Sequence, residues 1–493
     1  MLEKCKKHPD FSLEKCKKSG DFALEKCKSL YICRLIQTIC FMVKRKIYSY
    51  LQNFLQTDNR ALLVTGARQV GKTFAIRKVG KELFKNFVEI NFIEKPEALE
   101  IFSDVSDSQE ILLRLSAFTH RKLVPGKTLI FFDEVQQCKE MVTAIKFLVD
   151  EGSYRYVMSG SLLGVKLKDL RSVPVGYMAE YEMYPLDMEE FALALEIGEN
   201  VIAHLKDCYE RRVPVDGFVH ARMLEMVRLY LLTGGMPAVV QKYLDTNNLR
   251  SVLDVQRGII QTYKRDITQY DQEHKLQIEE IYNLIPSELD AKNKRFILKE
   301  LDSKARFSRY ESGLLWLQDS GAALPTYNVS EPRLPLLLNK QRNLFKLFAN
   351  DVGLLAAMYG ANIQIKLLSQ NPNINYGAIF ENLVAQELMA HGFAADHNLY
   401  YFNSKKQGEL DFMVEHDGAV LPIEVKSGKD YERHRALSGV MSDAAYDIPL
   451  AMVFCQDNVQ VKERVVYLPI YMLMFLQREA ATDLIYHFDA RME

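Results

Sequence analysis

No stretch of this chain is long and apolar enough to read as a membrane span, and neither sign of charge dominates. Over 493 residues the formal net charge is −1, which excludes a globally basic nucleic-acid binder and confines any such contact to local patches. Cysteine is sparse beyond the first forty residues. Five of the eight (Cys5, Cys16, Cys27, Cys33, Cys40) lie there, and Cys138, Cys208 and Cys455 are scattered. No C-x-x-C pair occurs, which argues against a zinc site or a disulfide framework and for a reducing compartment. A hydrophobic share of 48% beside 26% charged residues is that of an ordinary globular protein. The expectation is a soluble, cytoplasmic chain of three or four domains.

The N-terminus stands apart. Leu2 to Lys7 recurs as Leu13 to Lys18 and again from Leu24 to Lys28, with a period of 11, too few units for a solenoid. Leu30 to Val43 is mostly apolar, but Arg34 interrupts it and no small-residue cleavage site is present. The expectation is that translation starts at Met42 and that residues 1–41 are no part of the native fold. From Met42 a basic opening, Lys44-Arg45-Lys46, leads into an amphipathic helix through Leu51 and Leu55.

The most informative stretch is Gly66-Ala67-Arg68-Gln69-Val70-Gly71-Lys72-Thr73, which fits G-x-x-x-x-G-K-[ST]. Such a loop turns backbone N–H groups inward at a helix N-terminus and so cradles phosphates. Lys72 can reach the β- and γ-phosphates of a bound nucleotide, and the Thr73 hydroxyl can ligate Mg²⁺. The context agrees: Ala61 to Thr65 reads as a buried strand and Phe74 to Val79 as a helix. A second apolar run, Thr128 to Phe132, ends in Asp133 and Glu134, 61 residues after Lys72. An aspartate at a strand tip is where a P-loop enzyme holds Mg²⁺, and Glu134 can act as general base toward water. Tyr154 to Ser159 reads as a further strand. Ser159, and next to it Ser161, is placed to sense the γ-phosphate or simply to cap the strand. Phe87 to Phe92 and Met178 to Met183 complete a parallel, doubly wound sheet. No N-K-x-D base-reading motif appears in this half, which argues against a GTPase.

In the C-terminal half, residues 276–345 suggest a winged helix, with Ser308-x-x-Glu311 as a capping box and Pro325 to Val329 as a wing strand. Residues 292–309 carry seven basic side chains against Glu300 and Asp302, a phosphate-contacting patch or a solvated helix face. Glu381 lies on an expected helix over 379–385. Asp411 lies on a strand over 408–414, and thirteen residues on Glu424 and Lys426 share one face of the strand 421–426. The alternative for the last two is a surface pair on an edge strand.

The combination G-A-R-Q-V-G-K-T, F-F-D-E-V-Q, M-S-G-S, Gly234-Gly235-Met236-Pro237 and Tyr263-Lys264-Arg265-Asp266-Ile267 resembles the archaeal and bacterial AAA-like ATPases with a C-terminal DUF4143 region. Asp411 with Glu424-x-Lys426 resembles the PD-(D/E)xK nuclease fold. That resemblance implies that Asp411 and Glu424 bind Mg²⁺, that Lys426 positions or activates water, and that Glu381 supports the metal. The resemblance to the AAA-like ATPases with DUF4143 implies a P-loop α/β ATPase domain over 42–190 and a helical lid over 191–275, followed by the winged helix over 276–345, a nuclease-like α/β domain over 346–475 and a tail over 476–493. Many relatives have G-R where this chain has Gly176-Tyr177, which leaves Arg68 and Arg171 as candidates for an arginine finger. The implied function is Mg²⁺-dependent ATP hydrolysis that controls a module binding DNA or RNA through residues 292–309 and the C-terminal domain, in a chain that could form a homo-oligomer. The alternative is a slow nucleotide-dependent regulatory scaffold with an inactive nuclease fold.

Overall fold

Ile47, Leu51, Phe54 and Leu55 repeat at helical spacing and are all buried along the first helix, α1 (Lys46–Thr57). The computed structural model describes residues 43–104, 107–161, 176–270, 275–291, 295–296, 307–360, 376–394 and 398–478. The N-terminal repeats over 1–41, Arg171, the tail beyond 478 and most of the basic run 292–309 lie outside the described residues.

After α1 come β1 (Ala61–Thr65), α2 (Lys72–Leu83), β2 (Asn86–Asn91), α3 (Ser108–Thr119), β3 (Thr128–Asp133), α4 (Lys139–Glu151), β4 (Arg155–Ser159) and β5 (Met178–Glu182). The strands form a parallel sheet in the order β2-β3-β4-β1-β5. Every residue of β3 is buried, as a strand covered by helices on both faces requires. The parallel register aligns the C-terminal ends of three neighbouring strands. Asn91 pairs across from Asp133, and Asp133 from Ser159, so three polar residues end adjacent strands in one row.

A helical region comes next: α5 (Met188–Ala194), α6 (Glu199–Arg211), α7 (Gly217–Thr233), α8 (Pro237–Thr246), α9 (Leu249–Tyr270), α10 (Lys275–Asp290) and α11 (Phe307–Asp319). Among the described residues no single helix is long and apolar enough to cross a membrane.

The remaining elements are β6 (Ala323–Val329), β7 (Lys340–Ala349), α12 (Val352–Met358), α13 (Tyr376–Ala390), β8 (Leu399–Ser404), β9 (Gly408–His416), β10 (Ala419–Val425), α14 (Arg435–Ser442), β11 (Ala451–Cys455), β12 (Gln460–Lys462) and β13 (Val465–Pro469). The strands build a mixed sheet in the order β12-β13-β11-β10-β9-β8-β6-β7. The supposed wing strand is β6, buried at every position and inserted between β7 and β8, parallel to β8 with Thr326 opposite Leu399. A solvent-facing wing would alternate in burial. The expected boundary at 345/346 falls inside β7, and Ser308 lies within α11 rather than before it.

Candidate nucleotide site and acid–lysine cluster

Between β1 and α2 the chain turns sharply through Gly66, at φ +124°, where an added Cβ would lie 2.1 Å from the Met183 carbonyl oxygen. Only glycine fits there. Gln69 is left-handed at φ 67°. Lys72 is buried, and its Nζ donates to the carbonyls of Gly66 and Ala67 at 2.8 Å each. Burial pushes its pKa down to about 8, with Glu134 and Asp133 opposing. The Val70 carbonyl accepts from Arg45 Nη1 at 3.1 Å, while Arg45 Nε pairs with buried Glu190 at 2.9 Å. The Arg68 guanidinium pairs with Asp266 of α9 at 2.5 Å.

Asp133 is the centre of the site. The Thr73 hydroxyl donates to its carboxylate at 3.1 and 3.3 Å, Asn91 Nδ2 at 3.1 Å, the Glu134 amide at 3.1 Å, and the Ser159 hydroxyl completes the set. The structure thus brings Thr73, Asp133 and Ser159 together. Ser161 Oγ is instead buried without a hydrogen-bond partner among the described residues. Glu134 adopts φ 58° just past the strand tip, and Gln136 Nε2 donates to its carboxylate. A hydroxyl and a carboxylate side by side form a hard-oxygen donor set of the type Mg²⁺ takes.

The second cluster lies in the mixed sheet. The register Phe412 to Ile423 sets Asp411 opposite Glu424, and Asp411 Oδ2 accepts the Val425 amide at 2.8 Å. Lys426 Nζ donates to Glu424 Oε1 at 2.6 Å, while Glu424 Oε2 is buried with no partner among the described residues. Burial raises the Glu424 pKa against the pull of Lys426. Lys346 of β7 is fully buried. Its Nζ lies 2.7 Å from Glu409, 3.4 Å from Glu381 on α13 and 3.9 Å from Asp411. Burial works against that ammonium, but Glu381, Glu409 and Asp411 together hold its pKa well above the ordinary lysine value. Among the described residues no group of three or more His, Cys, Asp or Glu side chains is arranged to hold a metal ion.

Residues 58–192 match the family described as an AAA domain, and residues 376–473 match DUF4143, a domain of unknown function. This chain joins an AAA-like P-loop ATPase domain to a C-terminal DUF4143 region. Between them residues 224–364 match a further domain of unknown function, DUF8612, which crosses the expected boundaries after 275 and after 345. An uncharacterised protein of Methanocaldococcus jannaschii is 22% identical over 362 residues, 72% of each chain. Among solved structures, a Walker-type ATPase of Pyrococcus abyssi is similar at 15% identity over 64% of this chain and 96% of that one, TM-score 0.39. The Orc1 protein of Aeropyrum pernix, solved in complex with DNA, is similar at 12% identity over 66% and 91%, TM-score 0.28.

Asn91, Arg45, Lys346 and Glu409 are site residues that the sequence alone does not single out, and Asp266 stands in a family motif without a role. For Lys346 there is a signal: it is the one charge in the run Leu344-Phe345-Lys346-Leu347-Phe348, and a lone lysine in an apolar strand needs a buried partner.

A third charged group ties the ATPase domain to the DUF4143 region. Glu387 of α13 is fully buried and accepts the Met188 amide at 3.0 Å. His391 Nε2 lies 3.6 Å from Glu387 and 3.7 Å from Asp187, and Lys46 Nζ donates to Asp187 at 2.7 Å. Burial raises the Glu387 carboxyl to about 8, and Asp187 and Glu387 raise His391 against its own burial. In the unfolded chain Glu387 loses its proton near pH 4.5 and His391 near 6.5. The folded pair therefore holds protons that the unfolded chain releases, and stability is lost as pH rises. The melting temperature should fall from pH 6 to pH 9, by on the order of 2 kcal/mol in stability, and Glu387→Gln should flatten that slope. A melting temperature independent of pH over this range would contradict the assignment.

Proposed function

We propose that this chain binds ATP with Mg²⁺ and hydrolyses it, and that its nucleotide state controls the C-terminal acid–lysine cluster. The observation that carries the reading is the convergence of Thr73, Asn91, Glu134 and Ser159 on the Asp133 carboxylate beside the phosphate loop. The amides of residues 66–73 bind the phosphates. Lys72, whose ammonium donates to two loop carbonyls, turns that charge to the β- and γ-phosphates. Thr73 and Asp133 would hold Mg²⁺, which neutralises phosphate charge when bound. Glu134 accepts the proton of the attacking water, and Ser159 reports the γ-phosphate to β4. Lys72→Ala should weaken ATP binding beyond detection by calorimetry while the melting temperature holds. Unchanged affinity would remove the phosphate-loop assignment.

For the C-terminal cluster the reading is metal-dependent cleavage of DNA or RNA. Asp411 and Glu424 would hold the divalent ion, for which the unpartnered Glu424 Oε2 is a fitting donor. Glu381 supports it, and Lys426 orients the water. Lys346 favours a second reading. Its ammonium already supplies positive charge among Glu381, Glu409 and Asp411, so the cluster is a closed, non-cleaving structure and the chain a nucleotide-dependent scaffold. Purified full-length chain, incubated with single- and double-stranded DNA and RNA, with Mg²⁺ or Mn²⁺ and with or without ATP, separates the two. Cleavage that Asp411→Ala abolishes supports the first, and no cleavage under any condition supports the second.

A further inference from the structure

The phosphate loop is held from outside by α9 and the end of β7. The Tyr263 hydroxyl donates to the Arg68 carbonyl at 3.1 Å and accepts from Asn350 Nδ2 at 3.0 Å. One turn along the same helix, Asp266 pairs with the Arg68 side chain. Tyr263, Asp266 and Asn350 are all at least nine-tenths buried. Gly321, two residues before β6, rests on Ala67, so that an added Cβ would meet the Ala67 Cβ at 3.1 Å.

A trans peptide points its carbonyl and the next residue's N–H in opposite directions. A hydrogen bond that fixes the Arg68 carbonyl outward therefore aims the Gln69 N–H inward, toward the place a phosphate oxygen takes in such a loop. Gln69 is left-handed, a conformation that costs a non-glycine residue energy and so needs support of this kind. At the far end of the bridge, Asn350 directly follows β7, the strand that carries Lys346 four residues earlier. Asp351, the next residue, accepts the Gly235 amide at 2.6 Å and caps α12 through the Leu354 amide at 2.9 Å. Asn350 is therefore fixed between two rigid elements, and a shift of the Arg68 peptide is passed to β7 rather than absorbed by a loop.

We propose that Tyr263 is a positioning residue that aims the Gln69 amide at the bound phosphate and, through Asn350, relays nucleotide occupancy to β7 and its Lys346. The inference rests on the reading of residues 66–73 as a nucleotide site, and deepens it by giving the route of control. Nucleotide thus reaches the acid–lysine cluster from the strand that carries the cation, not from the strands that carry Asp411 and Glu424.

The test uses the full chain and a non-hydrolysable ATP analogue. Affinity is measured by calorimetry, and amide hydrogen exchange of residues 340–351 with and without the analogue. In the wild type, occupancy should slow exchange over 340–351 severalfold. Tyr263→Phe, which removes only the hydroxyl, should weaken the analogue about three- to tenfold and abolish the change over 340–351 even at saturation. Asn350→Ala keeps the Tyr263–Arg68 bond. It should leave affinity within about twofold and still abolish the change, and it decides the matter if Tyr263→Phe does not fold. A wild type that binds the analogue with no change over 340–351, or an Asn350→Ala chain that keeps the full change, overturns the relay. A wild type that binds no analogue overturns the nucleotide-site reading instead.

Discussion

Glu134→Gln should keep ATP affinity near that of the wild type and lose hydrolysis by about 10²- to 10⁴-fold, the range for removal of a general base. The amide keeps the shape of the side chain and cannot accept the water's proton. The position is well defined. Glu134 follows the strand-end Asp133 in a left-handed conformation, its own amide tied to Asp133 Oδ1 at 3.1 Å and its carboxylate held by Gln136. The Asp133 hydrogen bonds should survive the change, so phosphate release measured beside calorimetric binding isolates the chemical step. Hydrolysis within about tenfold of the wild type would mean that another group accepts the proton.

Lys346→Met should have the largest effect on stability. Methionine fills much the same space and removes the charge, leaving Glu381, Glu409 and Asp411 without their shared cation. Removing one partner from an ion pair as buried as Lys346–Glu381 costs about 3–5 kcal/mol, read as a lower midpoint in urea. The variant also weighs the two readings of the cluster. If Asp411 and Glu424 can hold a divalent ion, Mn²⁺ should restore part of the lost stability by replacing the missing positive charge. If Mn²⁺ changes nothing while the variant is measurably weakened, the carboxylates are a purely internal ion-pair network. A midpoint equal to that of the wild type would show that Lys346 neutralises nothing of consequence.

What the sequence made legible is what spacing along the chain determines. The phosphate loop, Asp133, Glu134 and Ser159 each follow from a motif or a strand end, and the structure places them within hydrogen-bond reach of one another. The pairing of Asp411 with Glu424 was readable for the same reason, since a short hairpin fixes register across adjacent strands. Asn91 was not readable, because it meets Asp133 only through the order of strands in the sheet. Lys346 and Glu409 meet across 63 residues of chain. The insertion of β6 between β7 and β8 was hidden too, because a short strand such as Ala323–Val329 does not by itself say which strands lie on either side of it. Gly234-Gly235 was recognisable as a motif but without a reason. The structure supplies one: an added Cβ would fall 2.0 Å from Asp351 Oδ1 at Gly234 and 2.0 Å from the Leu186 carbonyl at Gly235.

Four of the phosphate loop's braces come from outside the segment that matches the AAA family. Arg45, which fixes the Val70 carbonyl, precedes residue 58, and Tyr263, Asp266 and Gly321 lie far beyond residue 192. A fragment excised at the family limits would keep every residue of the signature and lose every one of these braces. Its binding and turnover would describe a loop set free of its frame, and dissecting this protein by its matched segments would separate the nucleotide site from the parts that shape it.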